Sequence, residues 1–204
     1  MRKAIFLDRD GVLIRTSVRD GTPHPPQSLE DVEILPGVRR AMEIFRALHF
    51  RLLMITNQPD VARGTQTRGQ VERINAALAH ALSLDGVYVC YHDNIDACAC
   101  RKPLPGLLLE AAAEHEIDLS ASYMVGDRGG DIAAGAAAGC RTFLVERPYS
   151  RCDSTQPDHK ADDLLDVAMQ LRDKTKKTAV QRNPRSMKPV YPEPCHDANR
   201  IASR

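Results

Sequence analysis

The sequence predicts an α/β fold, a doubly wound parallel sheet with helices on both faces. Short apolar runs of strand length alternate with longer segments in which apolar residues recur at helical spacing. The predicted strands are residues 4–7, 51–56, 87–91, 122–127 and 142–146. Apolar strands separated by helices are typical of parallel sheets, which bind ligands beyond the carboxyl ends of their strands.

The predicted helices lie between these strands and after the last of them. They are residues 38–48, 66–84, 105–116, 131–138 and 161–173. Gly37 precedes the first helix and Gly139 follows the fourth, and both residues are typical of helix ends. Residues 15–35 contain Pro and Asp without a clear period, so we expect a loop or small flap over the strand ends.

Charge and composition divide the chain into a body, residues 1–173, and a tail, residues 174–204. The chain has a formal charge of +1, but Lys and Arg are in excess in the tail, so the body is acidic. An acidic body disfavours a nucleic-acid partner, because nucleic-acid binding depends on neutralising phosphates. The tail has several prolines and few large apolar residues, and we predict that it is disordered.

The lengths of the apolar runs also indicate the cellular compartment that we expect for the protein. The first run, residues 4–7, is interrupted by Asp8 and is too short for the core of a signal peptide. No apolar stretch approaches the roughly 20 residues of a membrane-spanning helix. We therefore expect a cytoplasmic protein with reduced cysteines and no membrane partner.

Polar residues follow several of the predicted strands, at the edge where parallel strands end. Asp8 and Asp10 follow the first strand, and residues two apart on an extended segment point the same way. Two close carboxylates push their pKa values apart, which supplies a nucleophile and a general acid or base. A simple Asp-Gly turn at a strand end explains the same residues without catalysis.

Asp127, after the fourth strand, adds a third carboxylate, and three carboxylates suit Mg²⁺. A carboxylate at about 4 Å from a phosphate dianion is repelled by roughly 8 kcal/mol at an effective dielectric near 20. Chemistry on a phosphate therefore requires Mg²⁺ and a further cation, for which Lys102 is the candidate. The hydroxyl of Thr56, after the second strand, can donate to a phosphate oxygen.

The segment "CYHDNIDACACRKP" offers a second kind of metal site. Cys90, His92, Cys98 and Cys100 supply the four ligands of a closed tetrahedral Zn²⁺ site, which leaves no open position for catalysis. The alternatives are a disulfide, which a reducing compartment disfavours, and thiols that are merely buried. A structural Zn²⁺ would hold the loop that delivers the next two residues, both cationic.

Four segments in order, "FLDRDGV", "MITNQ", "CRKP" and "VGDRGGDI", resemble the haloacid dehalogenase superfamily of phosphatases over residues 1–147. The resemblance implies a Rossmann-like fold with a minimal cap and a zinc-binding loop. It also implies that Asp8 attacks phosphorus and forms an aspartyl-phosphate. Asp10 protonates the leaving oxygen and then activates water. It also implies that Mg²⁺ binds Asp8, the backbone carbonyl of Asp10 and Asp127.

By the same resemblance, Thr56 and Lys102 cradle the phosphoryl group. We expect the phosphatase domain to comprise residues 1–173. Asp131 either orients Lys102 or a metal-bound water, or it caps the helix that begins beside it. Asn57, Arg63 and Arg101 are candidates for substrate binding, since Arg recognises phosphate bidentately. A solvated surface arginine is an equal alternative for Arg63.

The embedded zinc loop resembles one branch of this superfamily, which acts on D-glycero-D-manno-heptose 1,7-bisphosphate or on histidinol phosphate. "TNQPDVARG" and "MVGDRGGDIAAGAAAGC" are similar to the heptose enzymes, whereas the five-residue gap in the zinc loop is typical of the histidinol-phosphate enzymes. The resemblance implies Mg²⁺-dependent hydrolysis of the heptose 7-phosphate, in nucleotide-activated heptose biosynthesis. Histidinol phosphate or another small phosphomonoester is the alternative substrate.

Two alternatives of other classes stay open at this point. The first is a non-catalytic, zinc-stabilised binding module, and the second is repair of nucleic-acid 3′-phosphates, which the basic tail permits. Retention of every catalytic motif favours the enzyme. We expect a monomer with a small sugar-phosphate substrate.

Overall fold

A computed structural model describes residues 1–19, 21–152 and 155–182. The strands are β1 Lys3–Leu7, β2 Ser17–Arg19, β3 Thr22–His24, β4 Phe50–Asn57, β5 Gly86–Cys90, β6 Tyr123–Gly126, β7 Arg141–Val145 and β8 His159–Ala161. The helices are α1 Val38–Ala47, α2 Arg68–Leu82, α3 Gly106–His115, α4 Gly129–Ala138 and α5 Leu164–Arg182. The alternation of strands and helices confirms the predicted α/β class.

Within the described residues, the main sheet has six parallel strands in the order β5-β4-β1-β6-β7-β8. The chain moves outward from β1 through β4 to β5 and then returns to place β6 on the other side of β1. This reversal opens a crevice beyond the carboxyl ends of β1, β4 and β6, which is where doubly wound sheets bind ligands.

Alternating side chains along β1 fill two separate apolar cores, one on each face of the sheet. Ile5 and Leu7 pack into the core that α1 and α5 cover, whereas Ala4 and Phe6 pack into the core that α3 covers. All four side chains are fully buried. The central strand is thus covered on both faces, which explains its uninterrupted apolar sequence.

Two short strand elements differ from the prediction. The segment expected to be a loop or flap contains a small antiparallel hairpin, β2–β3, in which Ser17 pairs with His24. The sixth strand of the main sheet, β8, was not predicted, and Ala161, expected to begin the last helix, ends that strand. Its pairing with β7 is a contact between distant parts of the chain, which local sequence does not encode.

The last helix also differs at both ends. It begins at Leu164, where the Asp163 carboxylate accepts a hydrogen bond from the Asp166 backbone N–H at 2.8 Å. It continues to Arg182, past the predicted end at residue 173, because residues 174–182 contain good helix formers and neither Gly nor Pro. The rest of the tail predicted to be disordered lies outside the described residues. Among the described helices, none has the length and apolar composition needed to cross a membrane.

Candidate active site

The carboxyl ends of three neighbouring strands bring the predicted catalytic residues together. Asp8 follows β1, Thr56 lies near the end of β4, and Asp127 follows β6. The Asp8 backbone N–H donates to the Val125 carbonyl at 2.9 Å, which holds the first motif against β6. All three site residues are buried, as expected for polar groups at the base of a crevice.

Lys102 joins two carboxylates at the centre of this crevice. Its Nζ lies 2.6 Å from Asp8 Oδ1 and 2.6 Å from Asp131 Oδ1, and it donates to the Ile55 carbonyl at 2.9 Å. These three contacts use the three hydrogens of the ammonium group. Burial lowers the pKa of Lys102, but the charges of Asp131 and Asp8 outweigh burial and hold that pKa above its usual value. Lys102 is therefore cationic at neutral pH.

The side chain of Asp131 makes the contacts expected for two alternatives considered from the sequence, orienting Lys102 and capping α4. One carboxylate oxygen contacts Lys102, and the other accepts a hydrogen bond from the Arg128 backbone N–H at 3.1 Å, at the start of α4. The side chain therefore orients the lysine and caps the helix at once.

Three carboxylates, those of Asp8, Asp127 and Asp131, have oxygen atoms within 4.8 Å of one another. Burial, followed by the charges of Asp8 and Asp131, raises the pKa of Asp127 to about 8. Burial is also the largest cause that raises the pKa of Asp8 to about 6, against the opposing charge of Lys102. One lysine does not neutralise three acids, so this cluster favours an added cation.

The hydrogen bonds of Asp127 show where that cation fits. Its Oδ2 accepts a hydrogen bond from the Tyr149 hydroxyl at 2.8 Å. Its Oδ1 is buried and has no hydrogen-bond partner among the described residues. A buried, unpartnered carboxylate oxygen beside a second carboxylate fits a hard cation such as Mg²⁺.

Asp10 lies beside this cluster in a different set of contacts. Arg9, which is 0% exposed, brings its Nη2 within 2.9 Å of Asp10 Oδ2. Gln58 donates to the same oxygen at 2.8 Å and to Thr56 Oγ1 at 2.8 Å. Asp8 and Asp10 both line the same cavity.

Arg9 and Gln58 were not singled out from the sequence. Arg9 also donates to Gln58 Oε1 at 2.8 Å and to Asn75 Oδ1 on α2 at 2.9 Å, so it links the first motif to two other elements. A signal existed, because Arg9 is a charged residue that lies directly between two predicted site carboxylates. The partners of that side chain were not readable, since they are distant in sequence.

Asn57, predicted to bind substrate, contacts the backbone of Lys102. Its Nδ2 donates to the Lys102 carbonyl at 3.0 Å, and its Oδ1 accepts from the Lys102 N–H at 3.2 Å. Asn57 also lines the cavity, so a substrate contact is compatible with this arrangement. The paired hydrogen bonds fix the backbone of Lys102.

The four predicted zinc ligands lie together next to this lysine. The sulfur atoms of Cys90, Cys98 and Cys100 are 3.3–3.7 Å apart, and His92 Nδ1 is 3.3 Å from Cys100 Sγ. A disulfide requires about 2.05 Å between sulfurs, so these are thiols. Zn–S bonds of about 2.3 Å in a tetrahedron place sulfurs about 3.8 Å apart, close to the distances found. The cluster fits Zn²⁺.

Three arginines line the cavity, whose volume is about 350 Å³. Arg63 forms a bidentate ion pair with Asp93, with both N–O distances at 2.7 Å, so its charge is compensated. Arg101 donates to Asn94 and to the His92 carbonyl on the zinc loop. Among the described residues, no carboxylate forms an ion pair with Arg101 or with Arg128. Arg128 was not selected in the sequence analysis. These two cations are available to an anionic ligand.

Comparisons with known proteins show which chains this protein resembles. A family model described as HAD-hydrolase-like matches residues 99–167. The D-glycero-beta-D-manno-heptose-1,7-bisphosphate 7-phosphatase of Helicobacter pylori (strain ATCC 700392 / 26695) is 37% identical over 154 residues, covering 72% of this chain and 86% of the relative. The enzyme of the same name from Escherichia coli (strain K12) is 38% identical over 156 residues, covering 71% and 78%.

A solved structure gives the same result. The D,D-heptose 1,7-bisphosphate phosphatase from B. bronchiseptica, complexed with magnesium and phosphate, superposes with a TM-score of 0.73 at 32% identity. The match covers 84% of this chain and 99% of that chain. Sequence and fold therefore point to the same group of proteins.

Proposed function

The chain belongs to the haloacid dehalogenase superfamily of phosphatases, and from this premise we propose that it removes the 7-phosphate of D-glycero-D-manno-heptose 1,7-bisphosphate. The chain is a phosphomonoester hydrolase, which sets aside the alternative of a non-catalytic binding module. The observation that carries the proposal is the Asp8–Lys102–Asp131 arrangement beside Asp127 Oδ1, which has no hydrogen-bond partner within the described part of the chain. Arg101 and Arg128, which form no ion pair with any described residue, line the cavity at this site.

The resemblance to the superfamily implies the roles of the chain's own residues, and their contacts support those roles. Asp8 is the nucleophile, and Lys102 holds its carboxylate in place and offers positive charge to the phosphoryl group. Thr56 accepts a hydrogen bond from Gln58, which leaves its own hydroxyl hydrogen for a phosphoryl oxygen. Asp10, held by Arg9 and Gln58, donates a proton to the leaving oxygen and later takes one from water.

Two sets of residues in this chain are suited to hold metal ions. Asp8, the carbonyl of Asp10 and Asp127 would hold Mg²⁺, which when bound neutralises phosphate charge so that a carboxylate can approach. Cys90, His92, Cys98 and Cys100 would hold a structural Zn²⁺. The fit of both donor sets to their metals supports this part of the proposal.

We also propose that the enzyme is a cytoplasmic monomer with its phosphatase domain in residues 1–173, extended by the end of α5. Three thiols as Zn²⁺ ligands favour a reducing compartment. Among the described residues, the exposed large apolar side chains, such as Val18, Leu29 and Ile95, are distributed singly along the chain and not in one segment.

Parallel phosphate-release assays test the substrate. With Mg²⁺ present, we expect kcat/KM for heptose 1,7-bisphosphate to exceed that for histidinol phosphate by at least about a hundredfold, because only the bisphosphate offers a second phosphate to Arg101 and Arg128. Phosphorus NMR of the product should show that the 7-phosphate is released. A preference for histidinol phosphate, which the five-residue gap in the zinc loop permits, would replace the heptose assignment and leave the chemistry intact.

Replacing Arg101 or Arg128, which we call the rim arginines, by a neutral residue tests how the second phosphate is bound. Arg101→Gln or Arg128→Gln should raise KM for the bisphosphate about tenfold to a hundredfold, since a hydrogen bond to a charged group contributes roughly 1.5–3 kcal/mol. Neither change should alter KM for heptose 7-phosphate, which lacks the other phosphate. Arg39→Gln, on the exposed face of α1, is the matched control. Equal effects on both substrates would rule out a role in recognising the second phosphate.

A further inference from the structure

The segment that follows β7 contacts both the side chain and the backbone of Asp127. The Tyr149 hydroxyl donates to Asp127 Oδ2 at 2.8 Å, and the Ser150 hydroxyl donates to the Asp127 backbone carbonyl at 2.6 Å. Neither residue belongs to the motifs that carry the family resemblance. Both the side chain and the backbone of Asp127 are therefore held by one short segment.

The contact from Tyr149 distinguishes the two oxygens of the carboxylate. Asp127 is 0% exposed, so water does not compete for its oxygens. Oδ2 is occupied by the tyrosine, and Oδ1 is buried without a partner among the described residues. Without this hydroxyl, the carboxylate would be free to turn about its last torsion, which is broad and weakly restricted.

Tyr149 is itself fixed by its surroundings. Its oxygen lies 3.2 Å from Thr16 Oγ1, and because its own hydrogen goes to Asp127, Thr16 must be the donor. Gly11, at φ 84°, lets the hydroxyl come close, since a Cβ there would lie 2.6 Å from the Tyr149 oxygen. Arg147 Nε donates to the Gly11 carbonyl at 2.9 Å and ties the segment to that turn.

From these contacts we propose that Tyr149 is a positioning residue for the Mg²⁺ site, which orients Asp127 so that Oδ1 faces the metal. The inference rests on the proposed function, in which Asp127 is a metal ligand. Partners that orient a metal ligand typically contribute tenfold to a hundredfold to metal affinity. Tyr149 is not among the residues that line the cavity, so its effect should appear in metal binding and not in chemistry at saturating metal.

Direct metal titration tests the proposal. Mn²⁺, as a probe of the Mg²⁺ site, is titrated into the zinc-containing full chain without substrate, and bound ion is measured by electron paramagnetic resonance. Tyr149→Phe should raise the dissociation constant about tenfold or more, and Thr16→Val should raise it less. The Mg²⁺ concentration for half-maximal phosphate release should shift in parallel, while kcat at saturating Mg²⁺ stays within about threefold.

Tyr88→Phe is the matched control, because it also removes a hydroxyl that donates to a carboxylate, Glu114 at 2.6 Å, but on β5 and α3. It should bind Mn²⁺ like the unmodified protein. If Tyr149→Phe also binds normally or more tightly, the positioning role is wrong. Asp127→Ala separates the two ideas: if its Mn²⁺ affinity is undiminished, the assignment of Asp127 to the metal fails, whereas its loss beside a normal Tyr149→Phe overturns only the role of Tyr149.

Discussion

Asp8→Asn should reduce kcat by about four orders of magnitude or more, since removing a nucleophile in a concerted catalytic unit costs on the order of 10⁶-fold in a well-studied hydrolase. Asn has the shape of Asp but lacks the ionised oxygen that attacks phosphorus. Phosphate release at saturating substrate and Mg²⁺ is the measurement. The loss should be in kcat, because the cavity and its rim arginines are unchanged.

The same variant should fold normally. Lys102 keeps its ion pair with Asp131 and its hydrogen bond to the Ile55 carbonyl when Asp8 is neutral. Because the pKa of Asp8 is raised to about 6 in the folded protein, its ionised form gives no net stability at neutral pH, and its loss should not lower the melting temperature. Residual activity above about a tenth of the original rate in a folded variant would exclude Asp8 as the nucleophile.

Cys98→Ser should release zinc and abolish activity together. A structural Zn²⁺ contributes on the order of 10 kcal/mol, which is comparable to the net stability of a domain. Lys102 follows the last ligand, Cys100, by two residues, and Arg101 is hydrogen-bonded to the zinc loop at Asn94. Loss of the metal should therefore displace both cations from the site. Zinc content by elemental analysis, kcat/KM and thermal unfolding are measured on the same preparation.

Cys140→Ala is the control for this experiment, because Cys140 is a buried thiol outside the ligand cluster. It should retain a full equivalent of zinc and most of the activity, at a small cost in stability. A zinc-free Cys98→Ser protein with the original kcat/KM would show that metal is not needed to hold the loop.

The fold was predictable where local sequence determines structure. The apolar runs at 51–56 and 142–146 became strands within one residue of their predicted ends, because a strand buried on both faces requires such a run. β8 has three residues, and it forms only because Leu144 and its neighbours on β7 are there to pair with it. α5 extends to Arg182 because nothing in that stretch stops a helix.

The residues of the site also fall into those that could be predicted from the sequence and those that could not. Residues that end neighbouring strands, such as Asp8, Thr56 and Asp127, could be placed together from the sequence, since parallel strands end at one edge. Their supporting partners could not. Gln58 reaches Asp10, and Tyr149 reaches Asp127, across loops whose paths the sequence does not specify. The charge of Arg63 suggested substrate binding, but Arg63 forms an ion pair with Asp93. That ion pair also joins loops whose paths the sequence does not specify.

The most direct test of the account is to trap the phosphoryl group on the protein. Asp10→Asn removes both the acid that protonates the leaving oxygen and the base that activates water, so an aspartyl-phosphate should form more slowly than in the unmodified protein but then persist. It should therefore accumulate over a long incubation of this variant with heptose 1,7-bisphosphate and Mg²⁺ before the mixture is quenched in acid. Mass spectrometry of the digested protein should locate one added phosphoryl group on Asp8, and none in Asp8→Asn/Asp10→Asn. A phosphoryl group on another residue, or rapid phosphate release from Asp10→Asn without any labelled protein, would contradict covalent catalysis by Asp8.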